Sequence, residues 1–262
     1  MKAFARILSV FSLTAFCVAC GGGGAASPPA PSPPPPPPVT NVSPGGIWED
    51  IVVGGVDVIA IVTEMGRFQY INEFLDQGSG VFSVSNGNVI SGNFQLVTKP
   101  GSVYADGTTL ANCTLSGTVA ERQTITATVN CTTTAGLQSQ SSITLNYKAV
   151  YERDSSLSVI AGNYDDSGLV LNIDENGVIF EQDPVSGCVN NGQVNVINPA
   201  FNAYDIQFGY SNCTGQATSL NGTSFIGMAT LDNTVVPEVL IIGATGDIDG
   251  ALVSLFGISE RL

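Results

Sequence analysis

The chain predicts an all-β body of two related antiparallel eight-stranded units, barrel- or sandwich-like, carried after a disordered Pro-rich linker. Three features of the 262 residues support that expectation. From residue 46 onward, short runs of alternating apolar and polar residues are separated by Gly, Asn, Asp and Ser, and no run shows a helical stripe. Charged residues make up only 11% of the chain, while Gly, Ser, Thr, Asn and Val abound, a mixture suited to strands and tight turns. A pattern that begins near residue 46 also returns near residue 162.

The strand candidates in the first half are 47–52, 57–64, 67–73, 79–85, 89–98, 111–120, 124–132 and 141–151. In the second half they are 159–165, 168–174, 177–182, 187–197, 203–212, 222–231, 237–244 and 251–258. Asn86-Gly87 and Asn176-Gly177 are two-residue hairpin signals, because both residue types tolerate the left-handed backbone such turns require. The repeat pairs Gly46-Ile-Trp-Glu-Asp50 with Gly162-Asn-Tyr-Asp-Asp166. It then pairs the turn Glu64-Met-Gly66 with Glu175-Asn-Gly177. The units are set at 46–155 and 156–262, joined near Tyr151–Ser158. Eight antiparallel strands, neighbours in sequence, can close on themselves and so remove exposed edges. A single membrane-spanning barrel of 16 strands is the second choice; its outward faces lack an aromatic girdle. Trp48 and Tyr164 sit at matching places and read as rings closing the barrel ends, with ligand stacking at a barrel mouth as the functional alternative. Tyr147 and Tyr151 alternate with Ile143, Leu145 and Ala149 and read as core.

Four cysteines in the body, Cys113, Cys131, Cys188 and Cys213, allow three pairings. The strand pattern chooses among them. Folding a hairpin about Glu121-Arg122-Gln123 sets Val119 against Ile125, Leu115 against Val129 and Cys113 against Cys131, all on one face. A second hairpin about Asn198–Asn202 sets Val196 against Tyr204 and Val194 against Ile206. The same register leaves Cys188 opposite Asn212, one residue short of Cys213, so the second bridge needs a β-bulge, at Gly192 or Gly209. Buried free thiols are the alternative for all four.

The first 19 residues are laid out as an export signal: Lys2 and Arg6, then a mostly apolar run from Ile7 to Ala19, too short for a comfortable membrane span. The junction Val18-Ala19-Cys20-Gly21 resembles the lipobox of bacterial lipoproteins. That resemblance covers about the first two dozen residues. It implies that Cys20 becomes the mature amino terminus, carries diacylglycerol and an amide-linked acyl chain such as palmitate, and anchors the protein in a membrane. The non-acidic Gly21 and Gly22 imply, by the same resemblance, the outer membrane, at its periplasmic or cell-surface face. Residues 20–45 are the linker. Pro28 to Pro38 is almost all proline, which favours an extended spacer of about 3.1 Å per residue. The predicted arrangement is broadly similar to the two-barrel bodies of some bacterial surface lipoproteins, on architecture alone and with no shared motif.

Removing Lys2 and Arg6 with the signal leaves six basic residues against 22 acidic ones. This excludes a nucleic-acid partner and a body lying on anionic lipid. The chain has no histidine, which removes the commonest general base and metal ligand. No catalytic residue is assigned and no cofactor is expected. Asn172, Asp174, Asn176 and Asp183 match part of a calcium loop, with Gly177 at its glycine position. Their flanks read as strands, so a hairpin tip is the plainer account; the acidic turn Gly246–Gly250 is similar. Asn41, Asn112, Asn130, Asn212 and Asn221 fit the glycosylation pattern, which carries no weight in a bacterial lipoprotein. The expected role is non-enzymatic binding of a protein partner, an envelope or surface interaction module. The alternative is a lipocalin-like carrier of a small apolar ligand, permitted by Gly92, Gly117 and Gly257 at inward positions. A histidine-free hydrolase using two carboxylates is a third reading.

Overall fold

The computed structural model describes residues 39–50, 58–72 and 74–262. The expected signal, Cys20 and the linker up to residue 38 lie outside the described residues, so the lipid anchor is neither seen nor contradicted. Among the described residues, no helix is long and apolar enough to cross a membrane.

The first unit contains β1 (Gly46–Asp50), β2 (Val58–Val62), β3 (Arg67–Ile71), β4 (Gln77–Ser85), β5 (Val89–Val97), β6 (Leu110–Ala120), β7 (Thr124–Thr133) and β8 (Gln138–Lys148). The second contains β9 (Gly162–Asp166), β10 (Leu169–Ile173), β11 (Val178–Gln182), β12 (Val189–Val196), β13 (Tyr204–Ser211), β14 (Ser224–Asp232), β15 (Val239–Ile248) and β16 (Ala251–Arg261). Each set closes into its own antiparallel barrel, every strand pairing with its neighbours in sequence and the last returning to the first. Two separate closures overturn the 16-stranded alternative. Each barrel has an apolar interior, one centred on Trp48, Phe68, Phe82 and Val119, the other on Tyr164, Ile179, Ile206 and Phe225.

The repeat holds in three dimensions. Gly66 and Gly177 both have left-handed φ, +79° each, in the turns Thr63–Arg67 and Asp174–Val178. Each glycine carbonyl then accepts a hydrogen bond from the second strand after it: from the Phe82 N–H at 3.0 Å and from the Val194 N–H at 2.7 Å. A Cβ at either glycine would overlap that later strand's backbone, so both the φ and the close approach require glycine.

Four local expectations need correction. Ser85 pairs with Val89, so the Asn86-Gly87 signal becomes a three-residue connection. At Asn176-Gly177 the turn spans Asp174–Val178 and only Gly177 is left-handed. The strand expected at 141–151 stops at Lys148, the last residue paired with β1, and residues 149–152 form a 3-10 turn that carries Tyr151 out of the barrel. There the Tyr151 ring stacks on Phe201 of the second unit, centroids 4.8 Å apart. The start of the strand expected at 159–165 is instead a single helical turn, α1 (Leu157–Ile160), capped by the Ser156 hydroxyl accepting from the Val159 N–H at 3.2 Å.

Both disulfides form as expected, Cys113–Cys131 and Cys188–Cys213. The first joins directly paired residues of β6 and β7. The second needs no bulge at Gly192 or Gly209: the β12–β13 register runs unbroken to Val189 opposite Ser211. The extra residue is absorbed just past the strand end, where Asn212 takes φ +59°.

The barrels pack against each other through side chains that face outward from their own walls. Ile47, Ile61, Val150, Ala203 and Met228 form a third apolar cluster. The Gln69 amide donates to Gln77 Oε1 at 2.9 Å, both side chains buried, and Gly243 of β15 leaves room for them. The buried Ser254 hydroxyl donates to the Thr98 carbonyl across the seam at 3.1 Å.

Candidate functional site

Among the described residues, the first three strands of each barrel have five residues each and the following five have eight to eleven. Among the described residues, the first and last strands of each ring meet at one end. In the first barrel β1 meets β8 through Ile47–Lys148, Trp48–Tyr147 and Glu49–Asn146. The remainder of β8 pairs with β7 alone among the described residues.

The closed end is plugged by stacked rings and a guanidinium. Trp48 is fully buried, and its indole N–H donates to the Pro44 carbonyl at 3.2 Å. Tyr147 meets it edge-on at 5.3 Å. Arg122, held in the left-handed turn between β6 and β7, places its guanidinium 5.3 Å from the ring centres of Tyr147, Tyr151 and Phe201. It also pairs with Glu64 at 3.2 Å and Glu152 at 3.0 Å, and donates to the Gly45 carbonyl. Burial pushes the Tyr147 hydroxyl up to about 12, against the opposing pull of Arg122. The second barrel repeats the device with other residues. The Tyr164 hydroxyl donates to the Ile160 carbonyl at 2.5 Å, the same four-residue step back. Arg261 lies 5.3 Å over its ring and pairs with Glu238. Trp48 and Tyr164 are therefore end plugs, as the structural reading expected.

Among the described residues, the other end of the first barrel is hollow. A cavity of about 730 Å³ opens there. Its floor is apolar: Tyr70, Phe94, Val129, Ile143 and Leu145 line both this cavity and a void of about 30 Å³ beneath it. Below them Phe68 packs against Phe82 and Phe94, with centroids 5.7 and 5.4 Å away. The rim is polar, formed by Asn72, Asp76, Lys99, Tyr104, Ser139 and Ser141. Asp76 is 7% exposed; its carboxylate accepts from the Lys99 backbone N–H and the Asn72 amide, each at 3.3 Å. Burial, then the nearby Asp76 charge, raises the Tyr104 hydroxyl far above its ordinary range, so it stays a neutral donor, to the Leu96 carbonyl at 3.4 Å.

The hollow has a specific origin in β8. Ser139 and Ser141 face inward, opposite buried Cys131 and Val129. Trp48 pairs with Tyr147 in the first barrel, as Tyr164 pairs with Arg261 in the second. Counting back in steps of two sets Leu145, Ile143, Ser141 and Ser139 against Ser259, Gly257, Leu255 and Val253. Two serines thus stand at the mouth where the second barrel has a leucine and a valine. The inward glycines were expected to supply such room, and here the reading needs correction. At Gly92 and Gly117 a Cβ would strike Phe82 or Ala127, so the space beside these glycines is already filled by neighbouring strands. Gly257 lines a smaller cavity in the second barrel.

Cys131 of the first disulfide lines the large cavity, and the second disulfide lies between the loops that follow β11 and β13. The calcium candidates occupy a hairpin tip and its flanks. Asp174 accepts from the N–H groups of Asn176 and Val178, both at 2.8 Å, which holds its carboxyl below the usual range. Asp183 accepts from the Ser186 hydroxyl and the Val185 N–H, with the same effect. Asn172 lies within β10 and donates to Asn163 at 2.8 Å. These groups are engaged in shaping their own turns and strand pairs. Among the described residues, no three His, Cys, Asp or Glu side chains gather as a metal-holding group. Sequence reasoning missed the plugging role of Arg122, treated only as a turn residue, and the rim residues Asp76, Lys99 and Tyr104. It also missed Asn202, whose amide donates to the Val150 and Leu231 carbonyls at 3.2 and 2.7 Å and ties the junction to the second barrel. A clue to Arg122 was present: a cation is rare in this chain, and one at a hairpin tip needs a reason. No protein-family model and no curated protein sequence matches the chain.

Proposed function

We propose that this chain is a binding protein that takes a small, largely apolar ligand with a polar end into the mouth of its first barrel. The proposal includes the address: anchorage in the bacterial outer membrane through lipid on Cys20, with the proline stretch as a stalk. The observation behind the binding role is the cavity of about 730 Å³, apolar at its floor and polar at its rim. Ligand pockets typically enclose roughly 300–1,000 Å³ and combine apolar walls with a few polar groups. That favours the carrier over the interaction module, which requires no interior space. The ligand's apolar part would lie on Phe94, Val129 and Leu145, and its polar end would meet Asp76, Lys99 and Tyr104.

The test uses N-phenyl-1-naphthylamine, a neutral apolar probe that fluoresces out of water. The full chain should bind it, and Ser141→Phe, which fills the mouth from β8, should weaken binding at least tenfold with an unchanged melting temperature. Equal binding by both forms would overturn the site. For the address, mass spectrometry of the membrane-extracted chain should find diacylglycerol on Cys20; a soluble chain with unmodified Cys20 would overturn it.

A further inference from the structure

The last strand of the second barrel leaves one edge open. The register of β16 against β15 runs unbroken from Ala251 to Glu260. On its other side β16 meets β9 only at Glu260 and Arg261. The Arg261 N–H donates toward β15, to the Glu238 carbonyl at 2.8 Å, and the Leu262 N–H toward β9, to the Asn163 carbonyl at 2.9 Å. Along an antiparallel strand the backbone groups of successive residues alternate sides. Those of Leu252, Ser254, Phe256 and Ile258 therefore face away from β15, and among the described residues none of the four bonds to another backbone group. A cavity of about 120 Å³ lies along this gap. Leu255 and Gly257 line it from the inner face of β16 and Phe256 from the outer, with Leu171 and Ile179 on the far bank. Both faces of the strand line one cavity because the edge between them is uncovered.

Open edges are usually guarded by charge, by proline or by a covering segment. The matching overhang of the first barrel begins Gln138-Ser-Gln-Ser-Ser142 and is polar. The overhang of the second, Ala251 to Ser259, reads ALVSLFGIS, with no charged residue and no proline. Ile258 stands exposed on it. Such an edge is a template for another strand. Charge at its two ends selects which strand. Asp165 and Glu260, both exposed, lie directly opposite each other where the gap begins, a like-charge pair that costs stability. At the other end the β15–β16 hairpin tip carries exposed Asp247 and Asp249. A second copy of the chain would bring the same carboxylates, and a net charge of −14, against these. A segment with basic ends would neutralise them. We propose that β16 docks an extended segment of a partner protein by antiparallel strand addition. Apolar side chains of that segment alternate over the cavity, and its basic ends meet Asp165 and Glu260 on one side and Asp247 and Asp249 on the other.

The test is calorimetric titration of the full chain with the synthetic peptide KVTVSVTVK, blocked at both ends, and with EVTVSVTVE as its acidic counterpart. The basic peptide should bind in the micromolar range and the acidic one at least tenfold more weakly. Ile258→Pro removes an edge N–H that bonds to no strand and leaves the β15 ladder whole, so it should weaken the basic peptide at least tenfold. Glu260→Lys, at an exposed position, should narrow the preference for the basic peptide at least tenfold. Melting followed by circular dichroism checks that each variant is folded; if Ile258→Pro is not, Glu260→Lys decides alone. Sedimentation of the chain without peptide should show a monomer. The proposal is refuted if the basic peptide fails to bind, if the acidic one binds as tightly, or if a folded variant behaves as the parent does. A dimer dissociated by Ile258→Pro would give the edge to a second copy and equally overturn it.

Discussion

The two barrels have the same strand order, the same closed end and the same glycine turn, yet they are hollow at different levels. On the strand that completes each ring, the first barrel turns Ser139 and Ser141 toward the mouth and Ile143 and Leu145 below them. The second turns Val253 and Leu255 toward the mouth and Gly257 and Ser259 below. The first consequently opens a cavity of about 730 Å³ at its rim, and the second keeps about 120 Å³ beside Gly257. Closure and filling are thus separate properties. Backbone hydrogen bonds complete the ring whatever the inward residues are, while their volumes decide where space remains. One duplicated scaffold can therefore carry two sites of unlike size and chemistry.

If the end plugs are equivalent, both barrels should fail when they are removed. Trp48→Ala should cost about 4 kcal/mol and Tyr164→Ala about 3 kcal/mol, the range for deleting a buried aromatic side chain; urea unfolding would measure both. Insensitivity at either position would break the equivalence. The disulfides offer a sharper contrast, because they lie at non-equivalent strands. Cys113–Cys131 and Cys188–Cys213 span 18 and 25 residues. A loop of that length gives about 3 kcal/mol for each bridge, the second slightly more. Replacing each pair by alanine should reproduce that order; a reversed order would mean that strand pairing in the first barrel depends on its bridge.

The smallest effect is absent at neutral pH. Tyr147 in the first barrel and Tyr204 in the second are each pushed up to about 12, chiefly by burial. Their phenols stay protonated in the folded chain to about pH 12, whereas an unfolded chain releases them near pH 10. The stability they contribute is therefore complete below about pH 10 and is lost as pH rises from there toward 12. Unfolding followed by urea across that window should show the decline, and Tyr147→Phe or Tyr204→Phe should each remove part of it. An unaltered profile in one variant would show that only the other barrel's tyrosine couples to folding.

Much of the scaffold was legible because strand period, turn chemistry and cysteine placement are local. Val119, Leu115 and Cys113 meet Ile125, Val129 and Cys131 as the alternation about Arg122 requires. The second bridge was legible only in part. The pairing followed from the register, but the place that absorbs the extra residue did not, since Asn212 adopts φ +59° beyond the strand where no alternation remains to be read. The cavities were harder. Gly92 and Gly117 leave no room because Phe82 and Ala127 come from neighbouring strands to cover them. Ser139 and Ser141 do leave room, and a serine in an alternating strand looks the same in sequence whether it faces water or a hollow.

By itself, then, the chain determined its class, the sixteen strands among the described residues, its duplication and both disulfides, because each rests on residues close along the sequence or on a fixed period of two. It also set the charge and the lack of histidine that narrow the chemistry. Tertiary structure alone decided that there are two rings, since closure depends on where β8 and β16 meet β1 and β9. It also decided that Arg122 joins Glu64, Glu152 and Phe201, and that Asn190 is buried beside Glu181 in a hollow. Those outcomes depend on the volumes of side chains far apart in sequence, which meet only once the barrels have closed.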